Sequence, residues 1–316
     1  MENNHHFDLI IVGGGPAGLT AGIYGARAKL KTLILNEGTA GGQLVLTHEI
    51  ANYPGIESTS GYMLGSTMAR QARNFGCTIR SNVRISSLNL NDDIKQVEVN
   101  EKDLYSADAV ILSPGGRSRT LGVPGETELK GRGISYCATC DGDFFQDKNI
   151  IVVGGGNSAL EEAVSLTRYA SKVTIIHQFD HFQAFPHAIV EAEQNEKIDF
   201  VMNSKITEFI GEDRLKGVKI ENTVTGTSEE RAIDGVFIFI GYVPNTEFLK
   251  GKVALNKWGE IKVTEELQTN IPGVYAAGDC IPKKVRQVTT AVSDGTIASL
   301  SAADYIHQRK RDLVVI

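Results

Sequence analysis

The sequence predicts an α/β protein built from two Rossmann-like cores, the second inserted into the first. Three observations carry this. An internal repeat reads strand, glycine turn, helix, strand. The repeated strands are short continuous apolar runs, as in parallel sheets buried on both faces. A Gly/Pro-rich exit from the first core is matched by a return strand far down the chain.

The first copy is "FDLIIVGGGPAGLTAGIYGARAKLKTLILNEG" and the second is "KNIIVVGGGNSALEEAVSLTRYASKVTIIHQF". Each opens on an apolar strand, continues as an amphipathic helix and closes on a second apolar strand, which makes two βαβ units. Gly13 and Gly154 are counterparts, and the same offset sets Glu37 opposite Gln178. "LSPGGRSRTLGVPGE" leads out of the first core, and "FIFIGYVPNTEF", a strand and a turn, leads back. "IPGVYAAGDC" and "VRQVTTAVSDGTIASLSAADYI" read as a strand, a loop and a long helix of small residues. Residues 1–116 and 245–316 are thus expected to form one discontinuous domain, with 117–244 inserted as the second.

The bulk numbers exclude several classes. A net charge of −6 with no basic stripe argues against a nucleic-acid partner. The best apolar run, "VFIFIGYV", is strand-sized, far short of a membrane span. "MENNHHFDLIIVGGG" has no basic n-region and no cleavage site, so a cytoplasmic protein is expected. Four cysteines in 316 residues are too few for a secreted disulfide scaffold.

"GGGPAG", Gly13 to Gly18, is a G-x-G-x-x-G loop between strand and helix. Gly13 allows the tight turn, Gly15 lets a pyrophosphate approach the backbone, and Gly18 lets helix and strand pack closely, with Pro16 and Ala17 between them. The phosphates then meet free N–H groups at the helix N-terminus. Glu37 stands at the distance expected for a ribose contact, and Asn36 is the adjacent alternative. The motif alone does not separate FAD from NAD. "SYCATCDGDFF" holds Cys137, Cys140 and Asp141. Zinc would need two more ligands, Cys77 and Cys280 stand alone, and no histidine cluster lies nearby; no metal is expected. A redox disulfide fits the pair better, with Asp141 placed to move protons.

Taken together, "GGGPAGLTAGIYGARA", "GGQL", "EIANYPG", "GRGISYCATCDG", "GGGNSALEEA", "IGYVPNT" and "AAGDC" followed by "RQV" resemble the low-molecular-weight thioredoxin reductases along essentially the whole chain. The resemblance implies FAD in the discontinuous domain, an NADPH-type domain carrying the redox dithiol, thioredoxin as partner and a homodimer. It places Gly13, Gly15 and Gly18 on the FAD pyrophosphate and Glu37 near its ribose. Gly41, Gly42, Gln43, Leu44 and Asn52 would approach the flavin, and the backbone near Val83 the adenine. Gly278 and Asp279 would meet the phosphate or ribityl region, and Arg286, Gln287 and Val288 would line the isoalloxazine. Cys140 would face the flavin, Cys137 would attack the partner's disulfide, and Asp141 would be the acid/base. Loops 113–119 and 241–245 would act as hinges.

The sequence departs from that family after its second βαβ unit. The family has H-R-R-x-x-x-R there, whose guanidinium groups grip the 2′-phosphate of NADPH. Here the stretch is "HQFDHFQ": His177 is kept, while Gln178, Phe179 and Gln183 replace the arginines. No Lys or Arg occurs from Val173 to Glu196. NADH gains no ribose carboxylate either, since Gln178 holds that place and Asp180 lies two residues on. Phe179, Phe182 and Phe185, at near-helical spacing, are expected in the core, and the "GGGNSA" turn is read as one the fold itself could require. "SPGG" at Ser113 to Gly116 is a second departure. The expected function is therefore a flavin-dependent thioredoxin reductase resembling the ferredoxin-dependent flavin type, with reduced ferredoxin as donor. "KKVR" (Lys283–Arg286) and "QRKR" (Gln308–Arg311) are candidate docking patches. The alternatives are an NAD(P)H-dependent reductase with an unconventional clamp, and a flavoprotein redox sensor or binding module.

Overall fold

The structure is a computed structural model and describes residues 5–47 and 49–314. Residues 1–4, read from the sequence as leading straight into a strand, lie outside the described residues. The chain divides into two compact units, 1–117 with 243–316, and 118–242.

In the first unit, β1 (His5–Val12) enters the glycine turn and is followed by α1 (Pro16–Arg27) and β2 (Thr32–Asn36). Pro16 opens α1, where its fixed φ suits the helix and its missing N–H costs nothing. α1 is not the half-exposed amphipathic helix expected. Its residues 17–22, 25 and 26 are all buried, because the C-terminal helix also packs along it. Ser60 caps α2 (Gly61–Asn74) by accepting the Met63 N–H at 3.2 Å, a contact of about 1 kcal/mol. Then come β3 (Thr78–Ser81), β4 (Ile85–Asn89), β5 (Lys95–Val99), β6 (Asp103–Leu112) and β7 (Gly116–Ser118). The sheet order is β3-β2-β1-β6-β5-β4; the first three pairings are parallel and the last two antiparallel.

The second unit runs β8 (Ile134–Ser135), α3 (Ala138–Asp141), β9 (Asn149–Val153), α4 (Asn157–Leu166), β10 (Lys172–Ile176), α5 (Pro186–Glu193) and β11 (Ile198–Val201). An antiparallel meander follows, β12 (Ser204–Gly211), β13 (Leu215–Asn222) and β14 (Ser228–Ala232), then β15 (Gly235–Ile238), and β16 (Tyr242–Pro244) runs across the boundary at 242. The parallel sheet is ordered β11-β10-β9-β15-β8. Successive side chains of a strand point to opposite faces. Ile150, Val152, Val173 and Ile175 therefore join the core with α4 and α5, while Ile151, Val153, Ile176 and Val236 join the core with the meander.

The chain returns to the first unit through β17 (Val274–Ala276), which pairs in parallel with β6, and ends in α6 (Val288–Val314). Gly295 lets α6 approach α1 closely, since a Cβ there would fall 2.2 Å from the Ala17 carbonyl oxygen. Ser299 Oγ adds a 2.9 Å bond to Ala21 O. No helix among the described residues is long and apolar enough to cross a membrane.

Candidate active site and cofactor cradle

Cys137 and Cys140 are joined as a disulfide at the start of α3. The Cys140 N–H donates to Cys137 Sγ at 3.2 Å, so the backbone favours negative charge on the Cys137 sulfur. Asp141 follows, and its Oδ2 accepts from Ser135 Oγ at 2.6 Å. Burial raises the Asp141 carboxyl above the ordinary aspartate range, and the Ser135 hydrogen bond acts in the opposite direction. The approach to the cysteines is pinned by Glu126, 3% exposed, whose carboxylate accepts from the amides of Leu121 at 3.0 Å and Gly122 at 2.7 Å, and from the Tyr136 hydroxyl at 2.6 Å. The sequence reading found both cysteines and Asp141 but not Ser135, Tyr136 or Glu126. Their partners lie up to ten residues away, and no motif marks them.

In the first unit the two glycine segments named from sequence come together. Gly41 N donates to Gly14 O at 2.7 Å, and Gly42 lies against Gly15. Gly13 is at φ +110, and a Cβ on Gly18 would fall 1.9 Å from Gly13 O, so both are glycine for the fold's sake. Gly15 differs. Its φ of −76 suits any residue, and a Cβ there would meet nothing nearer than 3.9 Å. Such open space at the N-terminus of α1 is what a pyrophosphate needs, so the loop fits a dinucleotide such as FAD. Glu37 is exposed beside it.

Two of the expected ligand residues also bond within the protein. Asn36 is buried, with Oδ1 accepting from Gly14 N at 2.8 Å and Nδ2 donating to Gly38 O at 2.6 Å, so it braces the glycine loop. Val83 N–H is spent on Asn36 O at 3.2 Å, which leaves only the Val83 carbonyl of that backbone for an adenine. Leu44 is buried, while Gln43 and Asn52 are exposed; Asn52 Nδ2 donates to Gln287 Oε1 at 3.4 Å. Gly278 N donates to Asp294 beside Asp279, and Val288 begins α6. Arg286 forms an ion pair with Glu260.

The second glycine loop repeats this pattern. Gly154, at φ +144, is required by the turn. Gly156 is not: its φ is −93, and a Cβ would meet nothing nearer than Gln183 O at 3.9 Å. The fold itself accounts for Gly154 and Gly155 in this turn but not for Gly156. His177 is buried against Gly155, where a Cβ would fall 2.3 Å from its ring, and burial lowers its pKa. The strap after it is not helical. Gln183 N donates to Gly155 O at 2.7 Å and Asn203 N to Phe179 O at 3.0 Å. Of the three phenylalanines only Phe182 packs into the core; Phe179 is 41% and Phe185 62% exposed, which corrects the core assignment. Gln178 and Gln183 are also exposed, and Asp180 is engaged with His181 at 2.6 Å.

Several cations of the two basic stretches have partners within the protein, while Lys284 is exposed. Lys283 is paired with Asp294 and Arg286 with Glu260. Arg309 bonds Asp93 O at 2.6 Å, Lys310 bonds Asp8, and Arg311 donates to Gln308. Burial pushes both remaining thiols, Cys77 and Cys280, up to about 12. Among the described residues no cluster of three or more His, Cys, Asp or Glu is arranged for a metal.

The family model Pyridine nucleotide-disulphide oxidoreductase matches residues 7–295. Thioredoxin reductase of Peptoclostridium acidaminophilum is 44% identical over 97% of this chain and 98% of its own. A 34.2 kDa protein in the rubredoxin operon of Clostridium pasteurianum is also 44% identical, over 97% and 99%. The solved thioredoxin reductase of Streptococcus pyogenes superposes with a TM-score of 0.92 at 40% identity, over 97% of this chain and 100% of that one. The chain belongs to the pyridine nucleotide-disulphide oxidoreductase family, whose thioredoxin reductase members bind FAD. Within it, the chain is a disulfide oxidoreductase of the thioredoxin reductase type.

Proposed function

We propose that this chain is an FAD-dependent reductase of thioredoxin whose electrons come from a reduced ferredoxin rather than NADPH. The observation that carries the choice of donor is the strap after β10, where exposed Gln178, Phe179 and Gln183 offer no cation to a 2′-phosphate. Gly13, Gly15, Gly18 and Glu37 would hold the pyrophosphate and ribose of FAD, and Asn52, Gln287 and Val288 would flank its ring. Bound FAD supplies a redox centre that can take electrons singly and pass on a pair, which joins a one-electron donor to a two-electron disulfide.

The chain's own residues perform the exchange. Cys137 thiolate, stabilised by the Cys140 N–H, attacks a sulfur of the thioredoxin disulfide. A Cys137–thioredoxin S–S bond forms, the thioredoxin bond breaks, and the leaving sulfur takes the Asp141 proton. Asp141 carboxylate then accepts the Cys140 thiol proton, and Cys140 sulfur attacks Cys137. The intramolecular disulfide re-forms, and the second thioredoxin sulfur leaves and is protonated. Two electrons pass to thioredoxin, which gains two thiols.

A second reading has its own support. Gly156 keeps space that the fold does not require, as Gly15 does, which favours a phosphate-bearing nucleotide at the second loop. That nucleotide would be NADH or an unusually held NADPH. Anaerobic flavin reduction by each donor, with thioredoxin as acceptor, separates the readings. Bleaching by ferredoxin alone supports the first, and rapid bleaching by a nicotinamide nucleotide overturns it.

A further inference from the structure

We propose that Ser135 is a positioning residue that sets the proton affinity of Asp141 through its hydroxyl and ties that proton to the cysteine turn. The inference rests on the acid/base role given to Asp141 above. Ser135 closes β8, is 4% exposed, and its Oγ is a junction. It accepts from Cys137 N at 3.1 Å, and its single proton has two acceptors, Asp141 Oδ2 at 2.6 Å and Cys137 O at 3.3 Å. An ionised Asp141 takes that proton in the short bond. A protonated Asp141 donates to Oγ instead, and the hydroxyl turns to the Cys137 carbonyl. The hydroxyl thus has one orientation for each state of the acid, and both contact the Cys137 backbone. Tyr136, between the two residues, is held by Glu126, so the junction stands on a fixed frame.

The titratable groups around Asp141 are the two cysteines, Tyr136 with its partner Glu126, Asp143 in the turn after α3, Glu161 and Glu162 on α4, and Tyr169, whose ring lies against Gly142. No carboxyl or tyrosine among them contributes to the Asp141 shift in the disulfide state, which comes from burial, raising it, and Ser135, lowering it. Removing the hydroxyl leaves burial unopposed, so the carboxyl holds its proton to higher pH.

The test uses the full FAD-loaded chain, reduced to the dithiol and mixed in single turnover with oxidised thioredoxin across pH. The rate falls on the alkaline side as Asp141 loses its proton. Ser135→Ala moves that limb up by about one pH unit. Asp141→Asn abolishes the limb, and the double variant matches Asp141→Asn. With 5,5′-dithiobis(2-nitrobenzoate), whose leaving thiolate needs no proton, Ser135→Ala leaves the pH profile in place. An equal loss at every pH with both acceptors, or an unmoved limb with thioredoxin, overturns the role of Ser135 while the acid assignment stands. A limb that survives Asp141→Asn overturns the acid assignment and this inference with it.

Discussion

Replacing Gly15 by alanine weakens FAD binding in a protein that otherwise folds normally. The added Cβ meets no protein atom nearer than 3.9 Å, at a φ of −76 that alanine adopts freely. Alanine at such a site stabilises by about 0.4–1 kcal/mol through the unfolded chain, so the melting temperature of the apoprotein does not fall. The methyl group does occupy the space a pyrophosphate needs. Losing two charge-assisted hydrogen bonds costs about 3 kcal/mol or more, roughly a 150-fold loss of FAD affinity. Titrating apoprotein with FAD by flavin fluorescence, beside a thermal melt without FAD, reads both quantities. Gly156→Ala, with equally open space, is the matched control. On the ferredoxin reading it leaves ferredoxin-driven thioredoxin reduction unchanged. FAD affinity in Gly15→Ala within about threefold of wild type would refute the cradle argument.

Three other outcomes follow from the same geometry. Cys140→Ser accumulates a mixed disulfide between Cys137 and thioredoxin, seen by mass spectrometry of the intact adduct, whereas Cys137→Ser accumulates none. The thiols of Cys77 and Cys280, pushed up to about 12 from an unfolded value of 9.0, contribute stability fully present below pH 9 and lost as pH rises towards 12. Each adds a slope of about 1.4 kcal/mol per pH unit in that window, so chemical denaturation of Cys77→Ala/Cys280→Ala shows a shallower alkaline decline than wild type. Restoring three cations, Gln178→Arg/Phe179→Arg/Gln183→Arg, lowers KM for NADPH at least about tenfold, or about 1.4 kcal/mol, in steady-state assays.

The features legible in the sequence were those that a residue type alone enforces. Gly13 and Gly154 take φ values that only glycine adopts readily, and the buried parallel strands cannot be other than apolar. What escaped depends on distant partners. The Asn36 amide and the Val83 N–H serve the glycine loop and each other across 22 and 47 residues of chain, which no local motif marks. The phenylalanines at spacings of three suggested a helix face. Their segment is instead held open by bonds from Gln183 to Gly155 and from Asn203 to Phe179, and two of the three face solvent. Lys283 and Arg286 look like an exposed basic run until Asp294 and Glu260 are placed beside them. The meander β12–β14 has half-exposed strands in which apolar and polar residues mix, which carry a weaker apolar signal than the parallel sheet it covers.

The most direct measurement is anaerobic flavin bleaching in the FAD-loaded protein, with NADPH, NADH or reduced ferredoxin offered separately and thioredoxin present. Bleaching and thioredoxin reduction with ferredoxin alone is the predicted result. Fast bleaching by micromolar NADPH would contradict the account, because Gln178, Phe179 and Gln183 would then mark no loss of the nucleotide site.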